Sequence, residues 1–312
     1  MSNDFRLLML TAMYENGGNT THRFLDGHPQ LHVYPFESQI GTAHVRDGLT
    51  SMFPLKYRWP EFVLDATPAA DYDAIIDEEA KVRARTPHVS KFRHIHFELS
   101  DDERRAIYCS HATHSGRSRA ANVEAFFRAT HRAWRNERRS GEEEVYVGYS
   151  PVVVVDAHKI LCDLPHAHVL HVVRNPWSAY ADTKKRPVPL SLRDYMLRWN
   201  LNQYFALLAH ARDPERVHIL RIEDIMDDPT QTLGGLLAEL GLRGSETLAR
   251  PSWNGEALEE VYPWGTLRAV TPEANRATAA ELSGSEIDEI EAWAWQYLDE
   301  LSYAGFMTKA SA

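Results

Sequence analysis

Residues 5–36 read FRLLMLTAMYENGGNTTHRFLDGHPQLHVYPF, and they decide the fold class. The apolar run at residues 7–13 predicts a buried β-strand. A turn with two adjacent glycines follows, and then a helix over about residues 19–26 that Gly27-His28-Pro29 ends. The loop between strand and helix contains Asn16, Gly17, Gly18, Asn19, Thr20 and Thr21.

A strand, a glycine-rich turn and a helix N-terminus together make an arrangement that can hold a phosphate-like anion. Glycines let the backbone approach the anion, free N–H groups point at it, and the helix dipole adds about half a positive charge. The hydroxyls of Thr20 and Thr21 add further donors. The loop has neither the Gly-Lys-[Ser/Thr] ending of a Walker loop nor a G-x-G-x-x-G pattern. Taken alone, it is equally compatible with an ordinary capped strand–helix turn.

The composition predicts a globular α/β protein with a sizeable core. The chain has 312 residues, 44% hydrophobic and 25% charged, and we interpret 1–312 as a single domain. A formal net charge of −10 argues against general nucleic-acid binding. No apolar run approaches the ~20 residues of a membrane span. The N-terminus lacks a signal-peptide pattern, and Cys109 and Cys162 show no C-x-x-C spacing, so we expect a cytoplasmic protein.

Sixteen histidines raise the question of a metal site. The closely spaced pairs lie at residues 94–96, 111–114 and 166–168, and none has a H-E-x-x-H context. We therefore expect no bound metal.

Apolar patterns along the chain predict alternating strands and helices, which is typical of a parallel sheet covered on both faces. The predicted strands lie at 31–36, 169–173 and 217–221, and the predicted helices at 120–139, 230–240 and 285–301, with another starting near 152–159. Ser283 and Glu286 form a capping-box pattern at the start of the last helix. Residues 38–144 are less periodic, and we interpret them as a variable insert or cap on the sheet.

A second motif, VLHVVRNPWSAYADT at residues 169–183, repeats the logic of the first loop. A strand brings Arg174 to its C-terminal end, Asn175-Pro176 turns the chain, and a helix begins. Ligands of open α/β sheets bind outside the carboxyl ends of strands, so Arg174 is a candidate anion contact. The alternative is a surface arginine after a strand.

A third segment, RIEDIMDDPTQTLGGLLAELGL at residues 221–242, completes a pattern. The three segments in this order resemble the sulfotransferase family, including its bacterial members, which uses 3′-phosphoadenosine 5′-phosphosulfate as donor. Residues 148–151, Gly-Tyr-Ser-Pro, look like the family's K-[ST]-P turn. The resemblance implies a P-loop NTPase-like three-layer sandwich with a central parallel sheet. It also implies transfer of a sulfuryl group to a hydroxyl of a small molecule or glycan, with residues 38–144 on the acceptor side.

The resemblance also assigns donor-binding residues. The first loop would hold the 5′-phosphosulfate, and Arg174 would contact the 3′-phosphate. Trp264 and Arg268 lie where the family brings a C-terminal loop over the nucleotide. The implied donor-binding set is Asn16, Gly17, Gly18, Asn19, Thr20, Thr21, Arg174, Thr183 and Arg268.

The chain departs from the family at two positions. The family usually has Lys or Arg at the place of Asn16, where the cation stabilises charge on the leaving oxygen. Eight residues beyond Arg174 the family often has a serine that binds the 3′-phosphate, whereas this chain has Asp182 followed by Thr183. We expect Thr183 to take over the second role, and Arg23, or else Lys159, to supply the missing cation.

An acceptor hydroxyl benefits from a general base, and Glu37 is the first candidate. It follows the strand-like segment 31–36, where bacterial members of the family often carry an acid. A strand-end surface glutamate is the alternative. His22 is the second candidate, and other histidines are rivals.

Two other functions stay open at this level. A small-molecule kinase would use the same fold, but the Walker lysine and a Mg-binding aspartate motif are missing. A member of the family that binds a ligand without turnover is the other alternative, and Asn16 favours it.

Overall fold

A computed structural model describes residues 5–90, 93, 95–258 and 272–307. Its centre is a sheet of five parallel strands in the order β2-β3-β1-β4-β5. The strands are β1 (Leu7–Ala12), β2 (Leu31–Val33), β3 (Val145–Tyr149), β4 (Ala167–Val173) and β5 (Val217–Arg221). Ser252–Trp253 and Glu256–Ala257 form a small antiparallel hairpin, β6 and β7.

Helices cover both faces of the sheet, which confirms the predicted fold class. Leu7 and Met9 of β1 belong to one apolar core, whereas Leu8 and Leu10 belong to another on the opposite face. All four are fully buried, and a strand buried on both faces has the near-continuous apolar sequence seen here. The protein therefore has three layers, with the sheet in the middle.

The helices of the described residues, in chain order, have the following bounds. They are α1 (Gly18–Leu25), α2 (Pro68–Ala74), α3 (Glu78–Arg85), α4 (Asp101–His114), α5 (Arg119–Ala133), α6 (Ala157–Asp163), α7 (Pro176–Thr183), α8 (Leu192–Arg212), α9 (Ile222–Asp227), α10 (Pro229–Glu239), α11 (Pro272–Ala279) and α12 (Gly284–Leu298). The predicted capping box at the start of α12 is present, with Ser283 and Glu286 each bonded to the other's backbone.

Several predicted bounds were too long. Helix α5 ends at Ala133 because Trp134 leaves it to bridge Leu99, and the N–H of Arg135 donates to the carbonyl of Glu98 at 2.7 Å. Strand β2 stops at Val33, shortly before Pro35, which has no N–H for the sheet. Proline and tertiary contacts thus end elements whose apolar pattern continues.

Within residues 38–144, helix α5 covers the sheet directly. A Cβ added to Gly148 of β3 would lie 2.7 Å from Cζ of Phe127 in this helix. The close approach of ring and strand therefore requires glycine at this position. Whether residues 38–144 act as a separate cap stays a prediction.

The strand order places β1 between β3 and β4. The chain fills one side of β1 with β2 and β3 and then crosses to the other side with β4 and β5. Such a reversal is the usual ligand position in open α/β sheets, because the loops after the two central strands diverge there. The loops after β1 and β4 are the two motifs found in the sequence.

Candidate active site

The loop after β1 has a backbone that only glycine accommodates at position 17. Gly17 has a φ of +88°, and an added Cβ would lie 2.4 Å from Cγ1 of Ile222. At Gly18 an added Cβ would lie 2.7 Å from the ring of Tyr149. Both glycines are therefore needed for close packing as well as for conformation.

Helix α1 leaves the N–H groups of its first turn free of intrahelical acceptors. The first bond within the helix runs from the N–H of Thr21 to the carbonyl of Gly17 at 2.9 Å, so Gly18, Asn19 and Thr20 have none. The hydroxyl of Thr21 donates back to the same carbonyl at 3.1 Å and is buried, whereas Thr20 is half-buried. The backbone, with Thr20, makes this end of the helix suited to an anion.

The side chain of Asn16 points into the protein. It is fully buried, its amide donates to the carbonyl of Tyr14 at 2.8 Å and to the hydroxyl of Tyr195 at 3.1 Å, and its oxygen accepts the N–H of Arg174 at 3.0 Å. Asn16 therefore joins the first loop to the end of β4 and to helix α8.

Arg174 connects the second motif to the first. Its Nη1 donates to the carbonyl of Glu15 at 3.1 Å and to the Asp182 carboxylate at 2.8 Å, and its Nε donates to the side chain of Asn275 at 2.8 Å. The guanidinium side chain is 11% exposed. An arginine at the end of β4 thus lies against the loop that follows β1.

The third motif supports both loops from below. Ile222 fills the space beside Gly17, and Oε1 of Glu223 accepts the N–H and the side-chain amide of Asn175 at 3.1 and 2.8 Å. The other oxygen of Glu223 accepts the hydroxyl of Tyr303 at 2.8 Å. The conformation of the Arg174-Asn175 turn therefore depends on a carboxylate from the segment after β5.

The remaining predicted donor contacts have different surroundings. Thr183 is fully buried, and its hydroxyl donates to the carbonyl of Ala179 at 2.9 Å within helix α7. Trp264 and Arg268 lie outside the described residues. Asn275, in α11, is 1% exposed, and its Nδ2 has no hydrogen-bond partner among the described residues.

Glu37, the predicted base, is half-buried and held in place. Its Oε2 accepts the hydroxyl of Tyr57 at 2.8 Å and the amide of Gln39 at 3.1 Å. The next residue, Ser38, donates its N–H to the carbonyl of Tyr149 at 2.5 Å, and the ring of Tyr149 lies against Gly18. The segment of Glu37 is thus joined through β3 to the first loop.

Three tyrosines at this place were not found by sequence reasoning. Burial raises the pKa of Tyr57 and of Tyr149, and the nearby charge of Glu37 raises both further. Burial also raises the pKa of Tyr14 to about 12, against the charges of Arg186 and Arg198. All three phenols are therefore neutral hydrogen-bond donors near neutral pH. Tyr14 lies in the first loop, but no local signal marks Tyr57.

Arg186 was also missed, because it lies in a polar turn with no recognisable motif. Its guanidinium carbon is 5.0 Å from the centroid of the Tyr14 ring, and its Nε is 3.8 Å from a carboxylate oxygen of Glu15. The side chain is 41% exposed. A cation is thus present beside the first loop at a position that solvent reaches.

His22 and Arg23 lie inside the protein. His22 is fully buried 5.5 Å from the Tyr149 ring, and burial with the charge of Arg23 holds its pKa well below the usual range. Arg23 is 3% exposed, its Nη2 donates to the carbonyl of Pro35 at 2.5 Å, and its guanidinium lies 4.5 Å from the Trp253 ring. Their catalytic roles stay predictions. Lys159 pairs with Glu61 and Asp156.

One cluster of possible metal ligands lies elsewhere, on strand β2 and after helix α5. His131 contacts Glu137 at 2.7 Å, His32 contacts it at 3.5 Å, and Arg139 pairs with its other oxygen. Burial raises the pKa of Glu137, but the two histidines and Arg139 outweigh it and hold the pKa at about 2. The carboxylate is already neutralised by its neighbours, and we assign the cluster a structural role.

The fold and the two loops at the reversal of strand order define an α/β protein of the P-loop-like class. The sequence matches the profile named "Sulfotransferase family" over residues 16–246. This match covers more than half of the chain, so the protein belongs to the sulfotransferase family. Among the described residues, no helix has the length and apolar character needed to cross a membrane.

Solved sulfotransferase structures share this fold. The sulfotransferase domain from the curacin biosynthetic pathway is 14% identical with a TM-score of 0.52, over 96% of this chain and 98% of that chain. The sulfotransferase domain of the Synechococcus PCC 7002 olefin synthase is 18% identical with a TM-score of 0.44, over 80% of this chain and 79% of that one. A sulfotransferase from Alicyclobacillus acidocaldarius is 14% identical with a TM-score of 0.41, over 91% and 94%. No curated protein matches the sequence significantly.

Proposed function

We propose that the protein transfers a sulfuryl group from an adenosine phosphosulfate donor to a hydroxyl of a small molecule or glycan. The donor implied by the family is 3′-phosphoadenosine 5′-phosphosulfate. The observation that carries the proposal is the contact between the two anion-binding motifs, because Arg174 donates to the backbone of the first loop at Glu15. A ligand with two anionic groups suits such a pair of motifs.

The 5′-phosphosulfate would bind at the start of helix α1. The free N–H groups of Gly18, Asn19 and Thr20 and the positive end of the helix dipole are fixed in direction before the ligand arrives. Donors that are already oriented stabilise charge on the leaving phosphate oxygen without a cost of reorganisation. The protein therefore contributes position and fixed positive potential, as enzymes of phosphoryl transfer do.

Glu37 is proposed to accept the proton of the acceptor hydroxyl. As the new bond between sulfur and the acceptor oxygen forms, the bond between sulfur and the bridging oxygen breaks, and the proton passes to the Glu37 carboxylate. The hydroxyl of Tyr57 at 2.8 Å holds that carboxylate in one orientation. General bases positioned in this way contribute about 10²–10⁴-fold in rate.

The cation that the family has in its first loop would come from another element. Arg23 remains the candidate from the sequence, and Arg186 joins it because its side chain is exposed beside Glu15 and Tyr14. A direct contact of Arg23 with the donor would require its guanidinium to leave Pro35 and Trp253. Arg186 needs no such change.

A second candidate function is a sulfotransferase-fold protein that binds a ligand without turnover. The buried, fully bonded side chain of Asn16 favours it, because the residue at the usual cationic position faces the interior. Nucleotide binding without transfer to any acceptor would distinguish this function from catalysis.

The first experiment is calorimetric titration of the wild type and Arg174→Ala with adenosine 3′,5′-bisphosphate, adenosine 5′-monophosphate and ATP. Binding of an adenosine nucleotide by the wild type that is lost in the variant supports the site. Screening for sulfated acceptors with phosphosulfate donors follows. If none of the three nucleotides binds to the wild type, the proposed donor site is wrong. Binding of ATP alone, with phosphate transfer, would instead favour a kinase.

A further inference from the structure

The ribose end of the proposed nucleotide site carries an acid that already occupies the arginine. Oδ2 of Asp182 lies 2.8 Å from Nη1 of Arg174, and Oδ1 lies 3.1 Å from Nζ of Lys185. Lys185 in turn pairs with Glu281 at 2.7 Å. Each of the two cations at this end thus has a carboxylate partner, and the four side chains together carry no net charge.

Asp182 is ionised near neutral pH. Burial raises its pKa, but the charges and hydrogen bonds of Arg174 and Lys185 outweigh burial and hold the pKa below its usual value. A carboxylate in this state accepts hydrogen bonds and donates none. A phosphate is also an acceptor and brings further negative charge, so it competes with Asp182 for the Arg174 guanidinium and is repelled by it.

A ribose hydroxyl fits this environment better than a phosphate does. A hydroxyl donates to a carboxylate without displacing its cations, and the side chain of Asp182 is 16% exposed. Dinucleotide-binding proteins use the same chemistry, in which an acidic residue binds a ribose hydroxyl and an arginine accommodates a phosphate at that hydroxyl. Helix α7 therefore presents the residue that discriminates between the two.

We propose that Asp182 makes this site select a donor whose ribose 3′ position is a hydroxyl, so that a 3′-phosphate is disfavoured. The inference rests on the proposed nucleotide-dependent sulfuryl transfer and narrows its donor to the class of adenosine 5′-phosphosulfate. Transfer then forms the bond from sulfur to the acceptor oxygen and breaks the bond from sulfur to the 5′-phosphate oxygen. The acceptor proton goes to Glu37, and the nucleotide leaves as adenosine 5′-monophosphate.

The test compares the wild type with Asp182→Ser, titrated with adenosine 5′-monophosphate and with adenosine 3′,5′-bisphosphate near neutral pH. We expect the wild type to bind the bisphosphate no more tightly than the monophosphate. Asp182→Ser should shift the affinity ratio toward the bisphosphate by about tenfold or more, because one negative charge beside the phosphate is gone. Asp182→Asn, which keeps the shape of the side chain, should shift the ratio in the same direction.

Asp213→Ser is the matched control, because Asp213 also pairs with an arginine, Arg216, but lies at the opposite end of α8, in the turn before β5. It should leave the ratio unchanged. A wild type that strongly prefers the bisphosphate, with the same ratio in both Asp182 variants, overturns the inference and leaves the proposed function intact. Absence of binding by both nucleotides to the wild type and to Asp182→Ser overturns the nucleotide site itself, and the inference with it.

Discussion

At the scale of single residues, the neighbours of a side chain decide its role, and Glu37 illustrates this. The sequence shows only a glutamate after a short strand, which is as typical of a surface position as of a base. In the structure, Tyr57 and Gln39 hold one oxygen of the carboxylate, and the backbone of Ser38 is bonded to strand β3. A carboxylate with a fixed orientation is what proton transfer in a transition state requires.

We expect Glu37→Gln to lower kcat by about 10²–10⁴-fold, because the amide cannot accept the acceptor proton. Nucleotide affinity should stay close to that of the wild type, since Glu37 lies on the acceptor side of the first loop. Steady-state kinetics with any acceptor found in the screen, together with nucleotide titration, measures both. Glu215→Gln, at an exposed turn before β5, is the control. Full turnover by Glu37→Gln would remove Glu37 from the mechanism.

The two candidate cations are separated by a pair of variants. Arg186→Ala should lower kcat by about 10²-fold at unchanged thermal stability, because Arg186 is exposed and near the loop. Arg23→Ala should lower the melting temperature, since it removes a buried side chain that contacts Pro35 and Trp253.

Differential scanning fluorimetry beside kinetics makes this distinction. A large loss of turnover in Arg23→Ala at an unchanged melting temperature would instead support the catalytic assignment of Arg23. In that case Arg186→Ala should retain wild-type turnover.

At the scale of elements, the segment after β5 holds the two loops of the site in position. It supplies Ile222 beside Gly17 and Glu223 below Asn175, although neither side chain belongs to an anion-binding motif. The family hallmark in this segment therefore has a structural reason. Substitutions there are expected to affect ligand binding through the loops.

Gly17→Ala should destabilise the protein by about 1–3 kcal/mol and weaken nucleotide binding. The new methyl group meets Ile222, and the positive φ of +88° disfavours any side chain. The double variant Gly17→Ala/Ile222→Ala should recover only part of the loss, because it removes the collision but not the backbone strain.

Urea unfolding of the single and double variants gives the interaction free energy. Gly234→Ala, at an open helix position where an added Cβ meets no neighbour within 4 Å, is the control and should not destabilise. Equal stability of Gly17→Ala and wild type would contradict the proposed packing of the loop.

Glu223→Gln should cost about 1–3 kcal/mol of stability and lower nucleotide affinity. An amide in place of the carboxylate presents N–H groups to one of its donors, either Asn175 or Tyr303, and leaves a buried donor unpaired. Tyr303→Phe removes one of these bonds without an opposed donor and should cost less. Comparable losses in the two variants would contradict this interpretation, and chemical unfolding measures both.

At the scale of the whole molecule, buried histidines make the stability depend on pH. Burial lowers the pKa of His22 and His131, and it lowers that of His171 to about 4, with Gln203 as hydrogen-bond partner. Such groups are neutral in the folded protein, whereas in the unfolded chain they bind protons below about pH 6.5. The unfolded state then binds more protons, so the free energy of unfolding falls as the pH falls from about 6.5 to about 4.

We expect His171→Gln to flatten this dependence, because the amide keeps a donor for Gln203 and does not titrate. The wild type should lose about 3 kcal/mol through His171 alone between pH 6.5 and pH 4, where its pKa lies. Unfolding by urea across this pH range measures the slope. His166→Gln, on an exposed turn before β4, should leave the slope unchanged. An unchanged slope in His171→Gln would show that His171 is protonated in the folded protein.

The sequence by itself determined the parallel sheet, the strand–loop–helix units, the order of the three motifs and the family. These features depend on apolar periodicity, glycine positions and caps, which act over a few residues and can be read locally. The same reasoning indicated Arg174 and marked Asp182 as a departure.

Only the tertiary structure decided which partners these residues have. Asn16 faces inward because Tyr195 and the end of β4 hold its amide, and Asp182 pairs with the arginine itself. Tyr57 reaches Glu37 across a turn that carries no motif, and Glu223 supports a loop on another strand. Helices and parallel strands bring together residues far apart in the chain, and packing, not the local pattern, selects which of them meet.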